Sequence, residues 1–154
     1  MLTPEERAAI EAEFPRYPTK QAVCIEAMRI VQRHRGWVPD DSLRDIGELV
    51  DMSPTELDSI ASFYNLIFRK PVGRHIIMLC DSVSCWIMGY QKQRDHLRKL
   101  LGVDFGQTTP DSRFTLLPIV CLGACDRAPV MTVDNELHLD LDESKIDRIL
   151  ETYT

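Results

Sequence analysis

Apolar residues recur at helical spacing through the first seventy or so positions of the chain. Residues 3–6 (Thr-Pro-Glu-Glu) form a capping box that predicts a first helix, and residues 53–56 (Ser-Pro-Thr-Glu) repeat this signature before a fourth. A second helix is predicted over residues 20–35, where Gly36 is placed to end it, and a third around residues 43–50. We therefore expect an N-terminal bundle of four short amphipathic helices.

Short apolar runs replace the helical spacing after residue 70. Residues 75–79 form a near-continuous apolar run, which is typical of a strand buried on both faces. Residues 114–120 predict a second strand, in which Pro118 indicates an edge or an irregular end. A helix over residues 86–101 is expected between them, and we expect Leu100 to face inward with its leucine neighbours.

The last third of the chain predicts a hairpin and a closing helix. Residues 106–112 are rich in turn residues, residues 130–139 indicate a hairpin, and Asp142 can cap the last helix. This order of strands and helices predicts a small α/β layer domain. The fold class is therefore α+β or α/β, with an N-terminal helical bundle over residues 1–70 and a second domain, a small mixed sheet with flanking helices, over residues 71–154.

Four cysteines carry the candidate chemistry. Cys80 and Cys85 form a C-x4-C pair, and Cys121 and Cys125 form a C-x3-C pair; each pair begins where a predicted strand ends. Sites in α/β sheets commonly form at the carboxyl ends of strands, so the two loops can bring four sulfurs together. Gly123 lets the backbone wrap closely, so that amides can point at the sulfurs. Soft thiolates select zinc, copper(I) or iron–sulfur clusters.

The spacing favours a [2Fe–2S] cluster over the other thiolate sites but leaves alternatives open. Structural zinc sites usually use C-x2-C knuckles, and dithiol oxidoreductases use C-x-x-C. Rieske centres need two histidine ligands, and plant-type ferredoxins place their third cysteine after only two residues. A zinc-stabilised interaction module without redox activity stays as the alternative of another class. A disulfide framework fits poorly, because the chain has five cysteines, an odd number.

The composition of the chain limits the kinds of binding partner and the cellular compartment that we expect. The 154 residues include 18 basic and 24 acidic side chains, and the net charge of -6 lacks the footprint of a nucleic-acid binder. No apolar run is long enough for direct membrane insertion, and the N-terminus does not resemble a secretory signal, so we expect a cytoplasmic protein. No G-x-G-x-x-G or Walker loop is present. We therefore expect no catalytic residue, and an electron donor and acceptor on partner subunits.

Several other conspicuous residues are expected to have ordinary structural roles. Cys24 is expected to be a buried small hydrophobe, the tryptophans Trp37 and Trp86 to be packing residues, and Arg29, Arg33 and Arg35 to lie on a solvated helix face. The histidines His34, His96 and His138 have no partner pattern and are expected at the surface or in structural positions.

Motifs along nearly the whole chain carry a family resemblance. The matching segments are residues 32–39 (QRHRGWVP), 62–64 (SFY), 71–75 (PVGRH), 80–85 with Gly89, 114–116 (FTL), and 121–125 (CLGAC) with Ala128-Pro129. They resemble the E-subunit family of NADH:quinone oxidoreductase (respiratory complex I), thioredoxin-like [2Fe–2S] ferredoxins. Gln107 and Ser112 depart from the family, which often has Glu and Gly there, and this leaves only the conformation of that loop in doubt.

The resemblance implies a thioredoxin-like second domain and a redox role within a larger complex. It implies cluster ligands at Cys80, Cys85, Cys121 and Cys125. It further implies docking on a flavin- and NADH-binding F subunit beside a large iron–sulfur G subunit, with FMN and NAD bound by the partner. The complex would be peripheral to the inner membrane on the cytoplasmic side. Soluble NAD-linked formate dehydrogenases and hydrogenases share this module and remain the alternative host.

Overall fold

A computed structural model describes residues 1–153 of the chain. Thr154, the last residue of the second predicted domain, lies outside the described residues. The chain divides into two compact units, one spanning Met1–Pro71 and the other beginning at Val72.

The first unit contains four α-helices, and the connection between the first two includes two 3-10 turns. The helices are α1 (Pro4–Glu11), α2 (Cys24–Arg35), α3 (Asp40–Val50) and α4 (Pro54–Phe63). Both predicted capping boxes form; in the first, the Thr3 hydroxyl accepts from the Glu6 amide at 3.1 Å. Gly36 ends α2 at a φ of +80°, as predicted. The second helix becomes α-helical later than predicted, because residues 21–23 form a 3-10 turn.

The helical unit has an apolar core that includes Cys24. Met28, Ile46 and Leu57 are fully buried, and Cys24 lies among them with 7% of its surface exposed. The expectation that Cys24 acts as a small buried hydrophobe agrees with this position. Burial also raises the pKa of its thiol.

The prediction that three arginines of α2 lie on a solvated face is wrong for Arg35. Arg35 Nε donates to Glu6 Oε1 at 2.7 Å, and Arg35 Nη2 donates to Glu6 Oε2 at 2.6 Å. Glu6 is 1% exposed, so this bidentate ion pair is mostly removed from water. The hydrogen bonds from Arg35 hold the pKa of Glu6 below its usual value. Arg29 and Arg33 are exposed as expected, and both pair with Glu26.

The second unit is built on a mixed sheet. Within residues 1–153 its elements are β1 (His75–Cys80), α5 (Val83–Ile87), α6 (Tyr90–Leu101), β2 (Gln107–Thr108), β3 (Phe114–Ile119), β4 (Met131–Val133), β5 (Glu136–His138) and α7 (Glu143–Glu151). The strand order is β2-β3-β1-β4-β5, in which β1 and β3 are parallel and the other neighbours are antiparallel. This architecture confirms the predicted fold class.

The predicted helix over residues 86–101 is two helices. Gly89 separates α5 from α6 at a φ of +107°, a conformation that a glycine adopts without strain. Leu97 is fully buried, but Leu100 is 47% exposed, so the prediction that Leu100 faces inward is wrong. Of these two leucines of α6, Leu97 faces the core and Leu100 faces the solvent.

The loop before β3 is also more ordered than predicted. Two of its residues form β2, which pairs with Thr115 and Leu116. Pro118 lies beyond that pairing, where β1 is the one strand of the described residues that pairs with β3. This local edge explains how β3 accommodates a residue without an amide donor. Ser112 has a φ of +56°, which accounts for the glycine often found there in the family that the sequence resembles.

The lengths and hydropathy of the helices bear on membrane insertion. Among the described residues, no helix is long and apolar enough to cross a membrane.

Candidate metal centre

The parallel pairing of β1 with β3 places both cysteine loops at one edge of the sheet. Cys80 is the last residue of β1 and lies opposite Ile119, the last residue of β3. Asp81 continues this pairing by donating its amide to the Ile119 carbonyl at 3.0 Å. Cys121 follows two positions after Ile119, so the two loops start side by side, as the sequence predicted.

The first pair of thiols is buried. Cys80 is 1% exposed and Cys85 is 0% exposed, because α5 turns Cys85 toward the core of the sheet unit. Burial, followed by the neighbouring thiol of Cys80, raises the pKa of Cys85 to about 11. The Cys80 thiol donates to the Val120 carbonyl, with 3.5 Å between Sγ and O.

The second pair of thiols is exposed. The Sγ atoms of Cys121 and Cys125 lie 3.8 Å apart, and both residues are open to solvent. The Gly123 amide donates to Cys121 Sγ at 3.4 Å, from a backbone with a φ of +76°. This hydrogen bond, followed by contributions from Cys125 and Ser82, lowers the pKa of Cys121.

All four thiols therefore meet at one end of the sheet. Cys80 pairs with Ile119, and its thiol lies 3.5 Å from the carbonyl of Val120, the residue directly before Cys121. Within residues 1–153, no group of three or more His, Cys, Asp or Glu side chains surrounds a single point as one metal ion requires. A two-iron cluster needs a different arrangement, since its four cysteine ligands are shared between two irons.

Exposed apolar side chains flank the thiols in the sequence of both loops. This apolar flank consists of Val83, Trp86, Ile87, Met88 and Val120, each more than half exposed. The prediction that Trp86 is a packing residue is therefore wrong, since 57% of its surface is exposed. Cys85 takes the buried face of the short helix α5, which leaves the adjacent Trp86 on the outside.

Sequence reasoning did not identify two contributors to the site. Ser82 precedes α5 without capping it, and its hydroxyl contributes to the lowered pKa of Cys121. Its position inside the C-x4-C segment was the available signal. The apolar flank was missed because a mostly apolar run indicates a core segment equally well.

The match to a protein family decides between the thiolate chemistries. A family model described as "Thioredoxin-like [2Fe-2S] ferredoxin" matches residues 10–154. The chain belongs to the thioredoxin-like [2Fe-2S] ferredoxin family. Membership confirms the predicted family, the thioredoxin-like fold and the [2Fe–2S] cofactor, and it overturns the zinc-stabilised alternative. Four soft thiols in two loops are a donor set that fits such a cluster.

Relatives within the ferredoxin family cover almost the whole chain. The E subunit of NADH-quinone oxidoreductase from Pseudomonas aeruginosa is 45% identical over 153 residues, which is 99% of this chain and 92% of the relative. The E subunit of the same oxidoreductase from Escherichia coli (strain K12) is 47% identical over 152 residues, with the same coverage of 99% and 92%. The predicted assignment to a subunit of this oxidoreductase is confirmed at the level of the family.

A solved structure from another oxidoreductase is also similar. An NAD+-reducing [NiFe]-hydrogenase in the air-oxidized state superposes with a TM-score of 0.68 at 25% sequence identity. The similarity covers 82% of this chain and 22% of the hydrogenase chain, so this chain corresponds to about a fifth of that longer protein.

Proposed function

We propose that the chain is an electron-transfer subunit of NADH:quinone oxidoreductase, holding one [2Fe–2S] cluster on Cys80, Cys85, Cys121 and Cys125. A bound cluster of this type supplies one-electron chemistry. The observation that carries the proposal is the meeting of two thiol pairs at the ends of the parallel strands β1 and β3, in a chain of this ferredoxin family.

The two thiol pairs contribute different properties to such a site. Cys80 and Cys85 are buried, so they can hold a ligand away from water and fix it to the sheet. Cys121 and Cys125 are exposed, so they keep one side of the site open to an approaching protein. The exposure of a cluster and the hydrogen bonds to its sulfurs are the features by which a protein adjusts its potential.

The proposed electron partner is the flavin of an NADH-oxidising F subunit, with the large G subunit beside it. The names of the relatives, which contain both NADH and quinone, support this assignment. The apolar flank supports it as well, because exposed apolar side chains next to an open site are typical of protein interfaces. FMN and NAD would then be bound by the partner, and the complex would be peripheral to the inner membrane on the cytoplasmic side.

The alternative host is a soluble NAD-linked hydrogenase or formate dehydrogenase. The similarity to the NAD+-reducing hydrogenase favours this candidate specifically. We rank it second, because sequence identity to the hydrogenase is 25%, whereas identity to the two E subunits is 45% and 47%.

Native purification from the source cells, with identification of the accompanying proteins, tests the proposed function. We expect a flavoprotein that oxidises NADH, together with integral membrane subunits. A flavoprotein with a nickel–iron or formate-oxidising subunit and no membrane subunits would instead assign the alternative host. Stoichiometric FMN or NADH binding by the isolated chain would contradict the proposed division of cofactors between subunits.

A further inference from the structure

The Gly123 amide is aimed at one of the exposed sulfurs. Its nitrogen lies 3.4 Å from Cys121 Sγ, and the backbone at Gly123 has a φ of +76°. A Cβ atom at this position would meet no described atom within 4 Å. The glycine is therefore not required for space. Its left-handed backbone, which glycine adopts without strain, directs the amide toward the sulfur.

We propose that Gly123 is a positioning residue that sets the reduction potential through its N–H···S hydrogen bond to Cys121. This inference rests on the proposed function, because it takes Cys121 to be a cluster ligand. Reduction by one electron adds negative charge near the ligand sulfurs. A donor aimed at such a sulfur stabilises the more negative state, so the bond favours reduction.

Cys121 is the sulfur at which such a donor acts with few competing hydrogen bonds. Cys121 is exposed and accepts the Gly123 amide at 3.4 Å, and the other recorded contact of this sulfur is with Cys125 Sγ at 3.8 Å. A change in backbone conformation at Gly123 thus alters a large share of the polar contacts to this sulfur.

Gly36 offers a matched control in the helical unit. Its φ is +80°, and a Cβ atom there would also meet no described atom within 4 Å. Its amide donates to the Gln32 carbonyl at 2.7 Å, which is an ordinary helix-ending bond. Alanine at either glycine suffers the same left-handed strain, but only Gly123 has a sulfur as its acceptor.

The test compares three variants of the full chain, Gly123→Ala, Gly123→Asn and Gly36→Ala, by redox titration followed by electron paramagnetic resonance. In Gly123→Ala we expect the ratio of reduced to oxidised protein at a fixed potential to fall by about tenfold, which for one electron is about 59 mV. Asparagine tolerates the left-handed conformation, so Gly123→Asn should stay within about twofold of the unmodified chain. Gly36→Ala should lose stability without a change in potential.

An unchanged potential in a cluster-containing Gly123→Ala would overturn the proposal, as would an equal shift in Gly36→Ala. If Gly123→Ala binds no cluster, the unmodified chain labelled with 15N-glycine decides the question by pulsed electron paramagnetic resonance. A resolved coupling between the reduced cluster and one glycine nitrogen, absent in Gly123→Asn, supports the proposal, and no coupling overturns it. A wrong ligand set is a separate result, since Cys121→Ser would then retain an unchanged spectrum.

Discussion

Two buried cysteines, Cys24 in the helical unit and Cys85 in the sheet unit, show what distinguishes a structural thiol from a candidate ligand. Both lie on helices, Cys24 is 7% exposed and Cys85 is 0% exposed, and burial raises the pKa of each. Burial therefore does not separate them. Cys85 lies beside Cys80 at the end of a strand, whereas Cys24 packs among aliphatic side chains. The presence of a neighbouring thiol therefore distinguishes the candidate ligand Cys85 from the structural Cys24.

The two units also differ in the kind of interaction that distinguishes each of them. The helical unit places the Glu6–Arg35 pair in a mostly buried position, where it joins α1 to α2. The sheet unit gathers thiols at its strand ends instead. Breaking each kind of contact should therefore have a different consequence, namely loss of stability in the first unit and loss of the cofactor in the second.

The largest expected effect is loss of the cluster when a thiol of the proposed ligand set is replaced. Cys85→Ser substitutes a harder hydroxyl for a soft thiolate, so we expect loss or strong alteration of the visible and electron paramagnetic resonance spectra. Cys24→Ser is the matched control, because it makes the same change at the other buried helical cysteine. It should keep the spectra and lower the free energy of unfolding by about 1–3 kcal/mol, the cost of burying a hydroxyl.

Opposite results in the two serine variants would contradict the distinction between a structural cysteine and a ligand. An unchanged spectrum in Cys85→Ser would remove Cys85 from the proposed ligand set. Loss of the spectrum in Cys24→Ser would show that this cysteine has a role beyond packing.

The next largest effect is expected from the buried ion pair. Glu6→Gln removes the charge that Arg35 faces, and leaving a mostly buried charge without its partner should destabilise the helical unit by about 2–3 kcal/mol. The chain has two tryptophans, Trp37 in the helical unit and Trp86 in the sheet unit. In a Trp86→Phe background, the fluorescence of Trp37 during urea unfolding therefore reports on the helical unit.

The cluster spectrum serves as the control for Glu6→Gln. It should be unchanged under native conditions, because the four candidate ligands belong to the other unit. A loss of cluster absorbance without a shift in the urea midpoint would contradict the distinction between the two units.

The sequence predicted local features well where one residue type determines the backbone. The capping boxes at Thr3 and Ser53 and the helix end at Gly36 are of this kind, since each depends on neighbours within a few positions. The cysteine spacing likewise predicted two loops at strand ends, and the structure brings these loops together.

Features that depend on distant partners were not predictable in the same way. Arg35 has the same chemistry as Arg29, and only the position of Glu6 on another helix makes it part of a buried pair. The exposure of Trp86 depends on the break at Gly89 and on which face of α5 holds Cys85. The contrast between buried and exposed thiol pairs likewise follows from tertiary packing, because both pairs have similar spacing in the sequence.

A smaller effect is expected from pH, again in the helical unit. The pKa of Glu6 is lowered in the folded chain, chiefly by the hydrogen bonds from Arg35. A depressed carboxylate pKa contributes stability that is present above the ordinary glutamate value of about 4.3 and is lost as the pH falls through the folded value. The difference in urea midpoint between the unmodified chain and Glu6→Gln should therefore be constant from about pH 7 to 5 and shrink in more acidic solution. A difference that stays constant down to about pH 3 would show that the Glu6 charge contributes nothing.

The smallest effect is expected at two apolar side chains that the structure places at the surface. Trp86→Ala and Leu100→Ala remove side chains that are 57% and 47% exposed, so each should change the free energy of unfolding by no more than about 0.5 kcal/mol. Leu97→Ala is the control, because Leu97 lies on the same helix as Leu100 and is fully buried; it should cost about 2–5 kcal/mol. Equal losses for Leu97→Ala and Leu100→Ala would instead support an inward position for both leucines. If Trp86→Ala keeps its stability but weakens co-purification of the flavoprotein, the apolar flank acts in partner binding rather than in folding.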